Sequence, residues 1–143
     1  MRRIGFIVLL GLLAQSSRAE LAFKAGDRVL LYGNSFVGRL QEHGGLEAAV
    51  QLAHPDRKLE FRSLAWTGDE VGYRLRPERY VNHLRKLLDQ WPANHVIIGF
   101  GLNESFAGPA GIPRFQRDLE GYLNEMQQRH PGATVTLLSP VAT

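Results

Sequence analysis

The sequence of 143 residues contains no cysteine. This absence excludes cysteine nucleophiles, thiolate metal ligands and disulfide bonds, so a hydrophobic core must stabilise the folded state. The pattern Gly-x-Gly-x-x-Gly is also absent after the first predicted strand, which argues against a dinucleotide-binding fold. We therefore predict neither a cofactor nor a metal site.

An excess of positive charge is also absent once the N-terminal segment is set aside. The chain has 17 lysines and arginines against 14 aspartates and glutamates, but three of the bases and none of the acids lie within residues 1–19. Residues 20–143 then carry 14 charges of each sign. A basic domain would suggest a nucleic-acid partner, and this balance removes that suggestion.

The first 19 residues have the layout of a secretory signal peptide. Arg2 and Arg3 precede an apolar run over residues 4–14, and the small residues Ser17 and Ala19 occupy the two positions that a signal peptidase inspects. The run is too short to span a bilayer, and no later cysteine could carry a lipid. We predict cleavage after Ala19, a secreted or periplasmic location and no stable membrane anchor. An N-terminal anchor or a buried helix remains the alternative.

Residues 20–143 alternate between strand and helix patterns, which predicts a single α/β domain. Short apolar runs predict strands at residues 29–32, 96–98 and 135–138, covered on both faces as in parallel sheets, and the alternating segment 59–65 predicts an edge strand. Helical spacing marks residues 46–53, 80–91 and 115–126. Right-handed crossovers in the order β-α-β-α-β-α-β predict a three-layer α/β/α sandwich.

Polar residues follow three of the predicted strands. Ser35 follows the first, Gly68 the second and Asn103 the third. In such sheets ligands bind beyond the carboxyl ends of the strands, so these residues are expected to lie together. Acyl transfer needs a nucleophilic oxygen and donors aimed at the developing oxyanion, and a serine, a glycine N–H and a carboxamide provide them.

These segments resemble the sequence blocks of the SGNH (GDSL-like) serine hydrolases. GNSF is similar to the first block, usually Gly-Asp-Ser, SLAWTGD to the second, and GLNE to the third. The likeness continues from NESFAGPAGIPRF to VTLLSP, and the longer pattern GNSF…GLNESFAGPAG is similar to a branch known mainly from planctomycetes, often as parts of larger exported proteins. The resemblance implies a parallel, flavodoxin-like sheet and an esterase or lipase activity.

Transferred to this sequence, the resemblance makes Ser35 the nucleophile and places its N–H, the Gly68 N–H and the Asn103 side chain in an oxyanion hole. The substrate it implies is a small acyl ester, for example an acetyl group on carbohydrate. Simpler alternatives remain open: Ser35 and Asn103 could be helix caps and Gly68 a turn glycine. Thr67, Asp69 and Glu104 are predicted to brace loops rather than to react.

The sequence departs from the family pattern in two ways. Asn34 replaces the usual aspartate beside the nucleophile, which keeps an acceptor oxygen and loses a charge. The family's late Asp-x-x-His motif, which supplies the acid and the base, is absent. We predict that the histidines do not reach Ser35; they are His43, His54, His83, His95 and His130. Those at 54 and 130 follow helices, where histidine suits the negative helix end.

The absent motif suggests that residues 20–143 are the N-terminal part of a hydrolase domain, without its C-terminal strand and helix. An apolar sheet edge would then be uncovered, and we predict marginal stability for the isolated chain. Two alternatives stay open. One is a catalytically impaired module of a larger exported protein that binds glycans or is structural; the other is a nonfunctional fragment. The sequence indicates no oligomeric state.

Overall fold

The computed structural model describes residues 21–72 and 78–140. The predicted signal peptide, residues 1–19, lies outside the described residues. The strands are β1 (Arg28–Gly33), β2 (Glu60–Ser63), β3 (His95–Gly99) and β4 (Thr134–Leu137). The helices are α1 (Ser35–His43), α2 (Gly45–Ala53), α3 (Glu78–Gln90) and α4 (Ile112–Arg129), with 3₁₀ turns at Pro55–Arg57, Glu104–Ala107 and Pro109–Gly111.

The four strands form one parallel sheet in the order β2-β1-β3-β4. The chain adds β2 on one side of β1 and then adds β3 and β4 on the other side. This strand order is the flavodoxin-like arrangement. β3 is buried along its whole length and β1 nearly so, as their continuous apolar sequences predict. β2 is a half-exposed edge strand, which confirms that prediction.

The prediction that β4 is covered on both faces is wrong. Leu137 is half exposed, and β4 pairs only with β3 among the described residues. α4 also leaves an apolar space of about 230 Å³ beside Leu137, lined in part by Phe115 and Pro140. Within the described residues β4 is therefore an edge strand despite its apolar sequence. The burial of a strand depends on the elements that pack against it, and the sequence of the strand does not specify them.

Helices cover both faces of the sheet, which confirms the three-layer α/β/α sandwich. On one face Leu30 and Val96 pack with side chains of α3 and α4, including Leu84 and Met126. On the other face Leu31 packs with side chains of α1 and α2. The connection from β1 to β2 holds two helices rather than one, because Gly44, with φ of +59°, ends α1 and begins α2.

The amino end of the sheet is held by buried polar pairs. His95 Nε2 lies 3.0 Å from Asp27 Oδ2, and the Lys24 N–H donates to the same oxygen at 2.7 Å. His130 follows α4, as predicted, and its Nδ1 accepts a hydrogen bond of 3.2 Å from the Ala93 N–H. These groups lie at the end of the sheet opposite Ser35, so they serve the fold rather than the candidate site.

Candidate functional site

Ser35 is the first residue of α1, directly beyond the carboxyl end of β1. Asn34 is the N-cap, and its Oδ1 accepts a hydrogen bond of 3.2 Å from the Phe36 N–H. The alternative that Ser35 is the cap is therefore wrong. Because the cap uses the asparagine, the Ser35 hydroxyl is left for other interactions.

Close packing at the strand ends fixes the start of α1. A Cβ on Gly33 would lie 2.3 Å from the Gly99 carbonyl oxygen and 2.7 Å from Val37 Cγ2, and one on Gly99 would lie 2.5 Å from the same methyl group. The two glycines therefore let Val37 of α1 pack directly on the ends of β1 and β3. The Asn34 N–H also donates to the Gly99 carbonyl at 3.2 Å, which ties the cap to β3.

Gly68 brings a backbone donor to the serine. Its N–H donates to Ser35 Oγ at 3.2 Å. Gly68 has φ of +83°, and no atom lies within 4 Å of a Cβ built on it, so the glycine is required by backbone conformation rather than by space. The preceding loop is fixed to β1, since the Trp66 N–H donates to the Gly33 carbonyl at 3.0 Å.

Asn103 belongs to the same loop cluster. Its Nδ2 donates to the Asp69 carbonyl at 3.0 Å, one residue from Gly68. It occupies the N-cap position of the 3₁₀ turn Glu104–Ala107, as the alternative interpretation expects, but its side chain makes no cap bond there. One N–H of this amide is engaged with the loop, and a primary amide carries a second.

Glu104 ties the loops after β2 and β3 together. Its Oε1 accepts from the Val71 N–H at 2.7 Å, and its Oε2 accepts from the Gly101 N–H at 2.8 Å. These bonds confirm the predicted bracing role of Glu104. The carboxylate thereby sets the position of Asn103, its neighbour in the chain, relative to Gly68.

Asn34 makes the cap of α1 in the way that an aspartate could. Asn34 is buried, and its Oδ1 makes the bond to Phe36 that an aspartate oxygen could also make. Its Nδ2 is buried and has no hydrogen-bond partner among the described residues. Compared with an aspartate, asparagine at this position keeps the cap geometry and lacks a negative charge next to Ser35.

No histidine is placed to act on Ser35. His95 and His130 are buried at the amino end of the sheet, and His54 follows α2 at that same end. His83 lies on α3, on the opposite face of the sheet from α1, and His43 is at the far end of α1. The five histidines of the chain thus leave Ser35 without an imidazole base, as the sequence predicts.

A cavity of about 220 Å³ adjoins Asn103. It lies between the loop after β2 and the first turns of α4, and its lining includes Glu70, Phe106, Arg114 and Asp118. Sequence reasoning missed these four residues because they become neighbours only through the two 3₁₀ turns that follow β3. Among the described residues no cluster of three or more histidine and acidic side chains could hold a metal ion.

Within residues 21–72 and 78–140, no helix combines the length and apolar character needed to cross a membrane.

A scan against protein-family models gave no match, and neither did a search of curated proteins. Among solved structures, the chain is similar to the psychrotrophic esterase EstA from Pseudoalteromonas sp., crystallised in a form inhibited by monoethylphosphonate. The two are 21% identical with a TM-score of 0.55, and the match covers 80% of this chain and 61% of the esterase. The chain thus spans less than two thirds of that esterase and shares its α/β fold.

Proposed function

We propose that this chain forms the acyl-transfer site of an SGNH-type serine hydrolase that cleaves small acyl esters. The observation that carries the proposal is the hydrogen bond from the Gly68 N–H to Ser35 Oγ at 3.2 Å. It joins the first residue of α1 to the loop after β2, at the sheet end where ligands bind in parallel sheets. The fold shared with an esterase supports the same conclusion.

In the proposed reaction Ser35 Oγ attacks the ester carbonyl carbon and gives its proton to a general base. The carbonyl oxygen becomes an oxyanion that accepts from the N–H groups of Ser35 and Gly68 and from Asn103 Nδ2. Collapse of this intermediate breaks the bond to the alcohol oxygen, which takes the proton, and leaves an acyl-serine that water hydrolyses. The proposal assigns the general base to residues absent from this chain, so the assays below include imidazole, which can accept the Ser35 proton in their place.

A fluorophosphonate probe tests the nucleophile, because it phosphonylates only an activated serine. We expect the chain to be labelled and Ser35→Ala to be unlabelled. Ser105→Ala is the matched control, since Ser105 is an exposed serine near the site whose Oγ donates to the Leu102 carbonyl. Turnover of phenyl acetate is measured beside the labelling. Equal labelling of the chain and of Ser35→Ala would contradict the assignment.

We propose an acetyl group on carbohydrate as the scissile ester, and export after removal of residues 1–19. Trp66 and Phe106 are large and exposed near the site, with 54% and 87% of their surface accessible, and such rings suit contact with a sugar. Mass spectrometry of chain exported by a bacterial host would show a new N-terminus at Glu20, and an uncleaved exported chain would contradict the cleavage site.

A second candidate function is a binding module that keeps the hydrolase scaffold without catalysis. The observation in its favour is the position of the histidines, none of which lies at Ser35. Serine without a base is a weak nucleophile. A folded chain that fails to react with the fluorophosphonate and with phenyl acetate would favour this function over the hydrolase.

A further inference from the structure

The cavity beside Asn103 has a lining of mixed chemistry. Phe106 presents a ring that is 87% exposed, although an aromatic side chain of this size normally gains stability by burial. Glu70 and Asp118 add carboxylates to the lining, and Arg114 adds a guanidinium. An aromatic face next to acceptors and a donor matches one class of ligand, a ring that carries hydroxyl groups.

The charged groups of the cavity are available to a ligand. Arg114 Nε lies 3.4 Å from Asp118 Oδ2, and Arg117 Nε lies 3.4 Å from Oδ1 of the same carboxylate; the two arginine side chains are 61% and 72% exposed. An exposed pair at this distance contributes little to stability, so exchanging it for a bond to a ligand loses little. Hydroxyl groups both donate and accept, and they can therefore satisfy the carboxylates and the guanidinium together.

The cavity walls are fixed before any ligand binds. Glu104 bonds the Val71 and Gly101 N–H groups, which holds one wall to the loop after β3. Gly72 approaches α4 so closely that a Cβ on it would lie 3.0 Å from the carboxyl carbon of Asp118. The volume of about 220 Å³ lies below the range of about 300–1,000 Å³ for sites of drug-sized ligands, which suits a single sugar ring.

We infer that this cavity binds the alcohol part of the ester, and that this part is a polyol ring stacked on Phe106 and hydrogen-bonded by Arg114. The inference rests on the proposed function, because Asn103 is shared between the cavity and the proposed oxyanion hole. If Asn103 holds the carbonyl oxygen of the ester, a group attached to one side of that carbonyl lies in the adjoining cavity. An apolar alcohol would desolvate charged groups without replacing their hydrogen bonds, which disfavours it.

The test compares two esters with the same acyl group, methyl 6-O-acetyl-β-D-glucopyranoside and phenyl acetate. In Phe106→Ala and Arg114→Met we expect kcat/KM for the sugar ester to fall about tenfold further than for phenyl acetate, mainly through KM. Phe106→Tyr keeps the ring and should keep the selectivity. Ile112→Ala is the control, because Ile112 is 52% exposed at the start of α4 and does not line the cavity.

An equal loss on both esters, or no loss on either, would overturn the inference. If the unmodified chain hydrolyses neither ester, the proposed function fails. The polyol subsite is then tested separately by the binding of the sugar ester. Saturation-transfer NMR of the sugar ester with Ser35→Ala then provides the measurement. A signal that disappears when Phe106→Ala is added supports the polyol subsite, whereas no signal, or one unchanged by Phe106→Ala, overturns it.

Discussion

Gly68 carries out two tasks that an alanine cannot combine. It holds φ of +83°, which disfavours an L side chain by roughly 1–2 kcal/mol, and it aims its N–H at Ser35 Oγ. Alanine keeps the N–H but disfavours this φ, so the backbone should turn the N–H away from Ser35 Oγ. We predict that Gly68→Ala lowers the free energy of unfolding by about 1 kcal/mol. Under the proposed mechanism it also lowers kcat for phenyl acetate by about 100-fold, the usual effect of losing one oxyanion donor. Urea denaturation and steady-state kinetics measure the two effects.

Gly132 provides the matched control for that substitution. It has the same φ of +83°, and no atom lies within 4 Å of a Cβ built on it, but it lies between α4 and β4, away from Ser35. Gly132→Ala should therefore show the same loss of stability with kcat unchanged. If both variants lose kcat equally, the effect of Gly68→Ala comes from general destabilisation and the donor role of Gly68 is wrong.

Asn34 positions Ser35, the proposed nucleophile, through the helix that it caps. Removing the cap bond to Phe36 in Asn34→Ala should lower the free energy of unfolding by about 1 kcal/mol, within the range of about 0.5–2 kcal/mol for N-cap residues. The rate of fluorophosphonate labelling at Ser35 should fall as well. Glu42→Ala, an exposed change on the same helix, should alter neither. Unchanged stability in Asn34→Ala would contradict the capping role.

For single residues, the sequence predicts which side chains lie close together better than it predicts what each of them does. Ser35, Gly68 and Asn103 each follow a strand, so a parallel sheet brings their loops to one edge. Asparagine and serine are both favoured at N-caps, so the sequence cannot tell whether Asn34 or Ser35 caps α1. Only the backbone conformation shows where the helix begins. Phe106 and Arg114 have no such pattern, because their proximity depends on two 3₁₀ turns.

Among the elements, the loops after β2 and β3 act as one unit because Glu104 accepts an N–H from each. Glu104→Ala leaves the N–H groups of Val71 and Gly101 without these acceptors, and we predict a loss of about 2–3 kcal/mol in the free energy of unfolding. Glu104→Gln keeps one acceptor oxygen and should lose less. Faster amide exchange at both N–H groups is the local measurement.

Glu120→Ala is the control for the loop brace, since Glu120 is an exposed acid on α4. It should leave amide exchange at Val71 unchanged. If exchange there is equally unchanged in Glu104→Ala, the two loops are held by other contacts and the bracing role of Glu104 is wrong.

The elements differ in how far their sequences determine them. β1 and β3 are predictable because continuous apolar runs are required where both faces are covered. β4 has the same kind of run, yet Leu137 is half exposed, because coverage comes from strands and helices elsewhere in the chain. α4 begins and ends where the sequence predicts, with Pro113 in its first turn and His130 directly after its last residue.

Across the whole molecule, the two ends of the sheet have different tasks. The carboxyl end holds Ser35, Gly68 and Asn103, and the amino end holds the buried pairs made by Asp27 and His130. Strand direction produces this separation, because all four strands are parallel. Changes in protonation at the amino end should therefore alter stability without direct contact with the reacting atoms.

Two buried groups set the response of stability to acid. Burial of Asp27 raises its pKa, but the Lys24 N–H and His95 outweigh that effect and leave the pKa below 3.8. Burial, together with the charge of Arg129, lowers the pKa of His130 below 6.5 despite the opposing charge of Asp89. Both groups take up protons more readily in the unfolded chain, so stability decreases as pH falls.

The contribution of His130 is present above pH 6.5 and is lost as pH falls below that value, whereas that of Asp27 persists to more acidic pH. His130→Gln can still accept the Ala93 N–H but does not titrate, so its free energy of unfolding should fall less between about pH 7 and 5. Urea denaturation across this range measures the slope, and Gln128→Ala, an exposed change on α4 that removes no titrating group, should keep it. An unaltered slope in His130→Gln would assign the acid response to other groups.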